Sequence, residues 1–404
     1  MPEHTRIFVA EPSYFEDRAA GLVSVHQGRL PQALAQIREW HPGFAGMADE
    51  AIAAASFDLD AARLVYAQEH GSESWDALLE RIREIADGRR REPFFDAFTA
   101  LKNRRWDEFH SLVGAYPDLA WARGTNGNTL LNLAISVAPG EMQIVDLLLE
   151  RGADVNQGND RGWTALHQAG YSNKPDLARR LLAAGADPTR EGHGEGGTPL
   201  AAALFWGHRE VAEVLAEAAI APRNLRIAAG LGRRDLIDEC FDESGALKPA
   251  AFEGRGFYRP HSGFPVWQPS RDRQEVLNEA LVWAAKADRV EVLGSLIERG
   301  AEIDADPYRG TALIWAAANN RLAAARWLLE HGAKISRATF GGPSHGEGIT
   351  ALHLAAQNDF AEIAQLLLDH GADVTVEEKN YHSTAAGWAE HFGSKRVGAL
   401  LGNE

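Results

Sequence analysis

A five-residue motif opening on threonine returns along this chain, and its spacing limits the architecture before any single residue suggests a chemistry. The copies read Thr129-Leu130-Leu131-Asn132-Leu133, Thr164-Ala165-Leu166-His167-Gln168, Thr198-Pro199-Leu200-Ala201-Ala202, Thr311-Ala312-Leu313-Ile314-Trp315 and Thr350-Ala351-Leu352-His353-Leu354. Leucine-rich stretches close on Gly152-Ala153, Gly185-Ala186, Gly300-Ala301, Gly332-Ala333 and Gly371-Ala372, and the step from Gly152 to Gly185 is 33 residues. Self-similarity at such a period marks stacked units, each burying its apolar face on its neighbours.

The physics of one unit follows from its residue types. Threonine caps a first helix, the next leucine enters the core, small alanines let paired helices approach, and Gly-Ala ends the second helix and turns the chain. With these motifs the chain resembles the ankyrin-repeat family over roughly three quarters of its length. The resemblance implies an all-α solenoid of paired antiparallel helices joined by β-turn fingers.

Four segments are expected: an N-terminal helical region over 1–90, a first repeat block over 91–242, an insertion over 243–273 and a second block with a C-terminal cap over 274–404. In the first segment, helices are expected over Leu30 to Trp40, Asp49 to Ser56, from Asp58 to His70, and from a Ser72 cap to Gly88. Ala67-Gln68-Glu69-His70-Gly71-Ser72-Glu73-Ser74-Trp75 resembles a step found at the start of bacterial ankyrin-repeat proteins. The spacing breaks once. Leu225-Arg226-Ile227-Ala228-Ala229 puts the threonine position at Arg223, only 25 residues after Thr198, so the intervening finger is largely missing. Leu281-Val282-Trp283-Ala284-Ala285 then puts it at Glu279, 56 residues further on.

Composition narrows the function. A net charge of −16 disfavours nucleic acid and anionic membranes and suits a neutral or basic protein partner. Met1 to Ala20 carries four acids where a signal peptide needs an apolar core, so a cytoplasmic location is expected. Cys240 is the single cysteine, which excludes an intramolecular disulfide and a thiolate metal cluster. No phosphate loop, serine elbow or His-Glu-x-x-His motif occurs, so no catalytic motif, cofactor or metal is expected.

The insertion draws attention because long loops in compact folds are usually functional. Arg255, Tyr258, Arg259, Trp267 and Arg271, with Trp283 and Trp315 in the following repeats, have the chemistry to hold an anionic small molecule between guanidinium groups and rings. The same residues serve equally to fill the defect left by the shortened repeat. If the protein were an enzyme, His261 or Glu347 would move protons. A duplicated tetrapeptide, His193-Gly194-Glu195-Gly196 and His345-Gly346-Glu347-Gly348, makes His193, Glu195, His345 and Glu347 candidates for partner contact in the fingers, against the simpler reading of glycine-rich turns. The primary expectation is a protein-binding scaffold that uses its fingers and concave helix surface. The alternative is a small-molecule pocket or enzyme between residues 252–273 and the adjacent repeats.

Overall fold

The computed structural model describes residues 4–138, 140–218, 224–257, 269–307, 310–336 and 347–402. Among these the regular elements are helices, with two isolated backbone bridges, Arg6 to Gly124 and Phe241 to Leu247. The chain divides into two compact units, Met1–Gly194 and Glu195–Glu404.

The first unit begins with helices Pro12–Gln27, Pro31–Trp40, Asp49–Ala54, Leu59–Glu69 and Trp75–Ala86. Their common core contains Phe15, Leu22, Ile37, Ile52, Val65, Leu78 and Ile82. The last of them is capped by Ser74, whose hydroxyl accepts from the Ala77 amide, and not by Ser72. Ser74 directly precedes Trp75, so its oxygen reaches the third amide ahead, as capping geometry requires. Helix Pro12–Gln27 was not expected, because its apolar residues follow a weak helical period.

Helix pairs Pro93–Lys102 with Trp106–Ala115, Leu130–Val137 with Met142–Glu150, and Ala165–Tyr171 with Pro175–Ala183 complete this unit. The N-terminal helices dock on the first finger through polar groups. The Tyr66 hydroxyl donates to Asn126 Oδ1 at 2.8 Å. The His70 ring is buried between the Tyr66 carbonyl, 2.8 Å from Nδ1, and the Thr125 hydroxyl, 3.0 Å from Nε2. Nδ1 therefore carries the proton and Nε2 accepts. Burial pushes this imidazole down to about 4.

The second unit contains six further pairs among its described residues: Pro199–Phe205 with Arg209–Ala218, Leu225–Gly230 with Arg234–Glu239, Arg273–Lys286 with Val290–Glu298, Ala312–Ala318 with Leu322–Glu330, Ala351–Gln357 with Ala361–Asp369, and Ala385–Phe392 with Lys395–Leu400. The threonines cap as their position demands. Thr129, Thr198, Thr311 and Thr384 each accept from the amide three residues ahead, and Thr164 and Thr350 form capping boxes with His167 and His353. Gly152 and its counterparts sit at positive φ, where glycine ends a helix without steric cost.

The irregular repeats depart from the expected register. Asn224, not Arg223, caps the short helix by accepting from the Ile227 amide at 3.0 Å; Arg223 lies outside the described residues. Glu279 caps nothing. Helix Arg273–Lys286 starts two turns earlier, at an Asp272 cap, and Glu279 lies in its middle with its side chain in the core.

Candidate functional site

Adjacent fingers are joined by backbone hydrogen bonds that step along each unit. In the first unit the Asp160 amide donates to the Asn126 carbonyl at 3.0 Å and the His193 amide to the Arg161 carbonyl at 2.9 Å. Late in the second unit the Lys379 amide donates to the Glu347 carbonyl at 2.6 Å. Between them the Glu195 carbonyl is met by the Phe257 amide at 2.8 Å. The repeat at Asn224 is thus bypassed, and residues 254–257 stand in the next finger's place. The approach is close: a Cβ on Gly196 would lie 1.8 Å from the Gly254 oxygen, so only glycine fits there.

A second regularity explains the interior of this break. The residue three places after the cap reaches the backbone just before the next repeat: Asn132 donates to the Trp163 carbonyl at 3.1 Å, and His353 Nε2 lies 3.1 Å from the Ser383 carbonyl. Arg226 holds the aligned place in Leu225-Arg226-Ile227-Ala228-Ala229, although the shifted Asn224 cap leaves it two residues after the cap and not three. Its guanidinium donates to the carbonyls of Gly254 at 2.9 Å, Arg255 at 3.1 Å and Phe257 at 3.3 Å. The irregular loop is held by one side chain with enough donors to serve three carbonyls.

That solution buries a charge, and the charge is answered. Arg226 Nη1 lies 2.8 Å from Glu279 Oε1, with both side chains at 1% exposure or less. Arg255, equally buried, donates from Nε to Glu279 Oε2, from Nη2 to Glu275 at 2.6 Å and from Nη1 to the Ser270 carbonyl at 2.7 Å. The Arg226 guanidinium also covers the Trp283 ring, 4.6 Å from its centre. Burial lowers the Arg226 pKa while Glu279 opposes the shift. Arginine stays protonated in either case.

Glu279, Trp283 and Lys286 follow one another at helical steps of four and three, so they share one face of Arg273–Lys286. Lys286 is fully buried, and its Nζ lies 3.9 Å from the ring centres of both Phe205 and Trp315. Among the described residues no hydrogen-bond acceptor meets it. Phe205 contacts Phe257, Trp283 and Trp315 at centroid distances of 5.7, 6.3 and 6.5 Å, so these rings form one cluster, in which Phe205 and Trp315 face the amine. Burial alone holds the Lys286 amine well below the usual lysine range. A desolvated cation–π contact contributes about 2 kcal/mol to the charged form, which offsets part of the cost of that burial.

The candidates named from sequence fall at different places. Trp315 faces the Lys286 amine, and Trp283 packs between Phe205 and the Arg226 guanidinium. Arg255 is engaged by two glutamates in the interior, and Arg271 is exposed. His193 packs edge-on against Trp163, with centroids 4.9 Å apart. Glu195 is exposed and its Oε1 accepts from the Gly254 amide. Glu347 pairs with Lys379 at 2.6 Å on the finger surface, and that ammonium holds its carboxyl below the usual range. Tyr258, Arg259, His261, Trp267 and His345 lie outside the described residues. Sequence reading missed Lys286, although its spacing from Trp283 and Glu279 was the available signal.

A finger near the C-terminal end presents a different surface. Tyr381 is 74% exposed. Its amide and that of Asn380 both donate to the Glu378 carboxylate at 2.8 Å, and Glu378 itself is buried. The aromatic side chain therefore stands on a braced turn.

Comparison with known proteins bears on the repeats. Residues 99–192, 131–224 and 269–339 match the family described as "Ankyrin repeats (3 copies)", and 313–368 match "Ankyrin repeats (many copies)". The chain is 38% identical over 104 residues to Protein fem-1 homolog A-like of Mus musculus, which is 26% of this chain and 15% of that protein. It is 33% identical over 112 residues to Ankyrin repeat and SAM domain-containing protein 6 of Rattus norvegicus, covering 28% and 12% of the two. Over 52 residues it is 44% identical to Protein phosphatase 1 regulatory subunit 27 of Homo sapiens, covering 13% and 34%. The chain therefore spans only a minor part of each of these relatives, all from animals. They lend no support to the bacterial likeness read at residues 67–75.

Proposed function

Because the chain belongs to the ankyrin-repeat family, we propose that it is a non-enzymatic scaffold that captures a protein partner through its finger loops and inner helix surface. The observation that carries this reading is the braced, 74% exposed Tyr381 at a finger turn. An exposed tyrosine on a fixed backbone offers a large contact area for little lost side-chain freedom, and tyrosine is enriched among residues that dominate binding energy. The relative whose name describes a phosphatase regulatory subunit is consistent with a protein-binding role. The net charge of −16 favours a neutral or basic partner over nucleic acid or an anionic membrane. Among the described residues no helix is long and apolar enough to cross a membrane. A cytoplasmic setting belongs to the same proposal.

The test compares immobilised wild type with Tyr381→Ala by quantitative mass spectrometry of retained proteins, with thermal unfolding as the control for folding. Selective loss of one retained species, at unchanged melting temperature, is expected. Identical retention by both proteins refutes finger-mediated capture.

A further inference from the structure

The N-terminal helices meet the first fingers at a junction that buries two acids. Glu69, at the end of helix Leu59–Glu69, is 1% exposed, and the Asp160 side chain, in the finger after Asn126, is 9% exposed. Gln36 Nε2 donates to Glu69 Oε2 at 2.9 Å, and the Arg123 guanidinium donates to Asp160 Oδ1. Their other oxygens, Glu69 Oε1 and Asp160 Oδ2, are buried and meet no donor among the described residues. Buried polar atoms left this way call for an explanation.

The groups packed around the pair do not balance it. Helix Pro12–Gln27 brings Tyr14, with Arg18 over its ring, and helix Leu59–Glu69 brings Tyr66. Both hydroxyls are engaged by Asn126, at 3.1 and 2.8 Å, and burial raises both phenols, so they stay neutral. Thr5, whose amide donates to the Glu69 carbonyl at 2.9 Å, and Gln36 carry no charge. His70 is spent on the Tyr66 carbonyl and the Thr125 hydroxyl. Exposed Glu39 and half-buried Arg161 act on Asp160 with opposite signs. Two buried carboxylates thus stand against one bonded guanidinium, an excess of one negative charge. A proton on one of the two open oxygens removes that charge and gives the pair an O–H. A cavity of about 10 Å³ lined by Gln36, Asp160 and Arg161 lies beside them, room for one water to pass the proton to solvent.

We infer that Glu69 and Asp160 hold one proton between them and that its release unlatches the N-terminal helices from the fingers, a pH-sensitive device built into this junction. With both acids charged, like charges sit in a dry interior with one cation for two anions, and opening the junction hydrates them. Burial pushes the Asp160 carboxyl up to about 6 against the pull of Arg123. Burial, with the Asp160 charge adding to it, holds Glu69 well above the usual range. Both folded values lie above the unfolded ones, so the contribution of the acids is complete below about pH 4 and is lost as pH rises through about 6 and beyond. The latch belongs to the first unit and does not rest on capture at Tyr381.

Hydrogen–deuterium exchange of the full chain tests this at about pH 5.5 and about pH 8.5, read as protection factors in helices Pro31–Trp40 and Leu59–Glu69, with helix Ala312–Ala318 as control. Wild-type protection in the first two should fall at least about tenfold between these pH values, the worth of one pKa unit, while the control stays level. Glu69→Gln keeps the shape without the titrating group and should fall less than about threefold; if it does not fold, Asp160→Asn must show the same flattening. Equal wild-type protection at both pH values, or an equal fall in wild type and variant, overturns the inference. Recovery at the higher pH in sodium chloride but not in choline chloride also overturns it, because a metal ion and not a proton then balances the pair.

Discussion

Replacing Glu279 by leucine removes the carboxylate shared by two buried guanidiniums. Its effect can be worked from their remaining partners. Arg255 keeps Glu275 and the Ser270 carbonyl, and Glu275 is partly exposed, so its charge remains neutralised. Arg226 keeps only the carbonyls of Gly254, Arg255 and Phe257, which satisfy its protons without balancing its charge. Breaking a buried pair from one side costs about 3–5 kcal/mol, and with one arginine still paired the lower part of that range, about 3–4 kcal/mol, is expected. For a unit of roughly 200 residues this lowers the melting temperature by about 10 °C. Circular dichroism on heating measures the shift, and urea titration measures the free energy. Glu279→Gln keeps the shape and loses the charge, so it should fall between wild type and Glu279→Leu. The double variant Glu279→Leu with Arg226→Met removes the stranded charge but also the donors to three carbonyls, so it should lose less than the sum of its two singles. A single-variant loss below about 1 kcal/mol, or a double variant equal to the sum of its singles, refutes the assignment of the ion cluster as the clamp of this repeat.

Two further outcomes follow from the first helices. The His70 imidazole titrates at about 4 when folded against an ordinary 6.5, so the unfolded chain binds more protons between these values. Its contribution is complete above pH 6.5 and is lost as pH falls toward 4, by up to about 3 kcal/mol. His70→Gln should flatten this part of the urea-derived stability profile relative to wild type; the subtraction removes the opposing trend of buried Glu69 and Asp160, whose raised pKa values favour the folded state at lower pH. Equal slopes for the two proteins would count against it. Thr311→Ala deletes a buried cap whose oxygen accepts from Ile314 at 3.3 Å, and a loss of about 1 kcal/mol in urea is expected, with Thr311→Ser restoring most of it.

The regular repeats were legible because each residue type has one local task. Threonine at a cap, glycine at positive φ and alanine between helices act within a few residues, and Thr129, Thr198 and Thr311 perform as their positions require. The place of the irregularity was legible too, from the short and long steps around Leu225 and Leu281. Its chemistry was not. Glu279 read as a substituted cap because the helix was assumed to begin where its neighbours do, and the Asp272 cap that starts it two turns earlier lies inside what read as insertion. Arg255 read as a ligand for anions because its acidic partners are 20 and 24 residues away in sequence and meet it only in the fold. Long-range pairing of this kind has no period to reveal it.

The break in spacing and the polar interior have a common origin. A stacked repeat must satisfy the carbonyls of the finger beside it, and Asn132 and His353 each do so with one side-chain contact. Where the finger before Asn224 is missing, the loop at 254–257 enters the vacant place and brings several carbonyls inward at once. Asparagine or histidine has too few donors for that loop, whereas arginine has five. A buried arginine then demands a carboxylate, and Glu279 can supply one only from the interior of a helix, because a cap residue turns its side chain to the helix's own amides. The helix must therefore start earlier, and its continuation sets Trp283 and Lys286 four and seven residues beyond Glu279, on the same buried face. The carboxylate is taken by Arg226 and Arg255, two turns back along the helix from Lys286. Lys286 is left with rings for neighbours, and the faces of Phe205 and Trp315 take the place of the carboxylate at its amine.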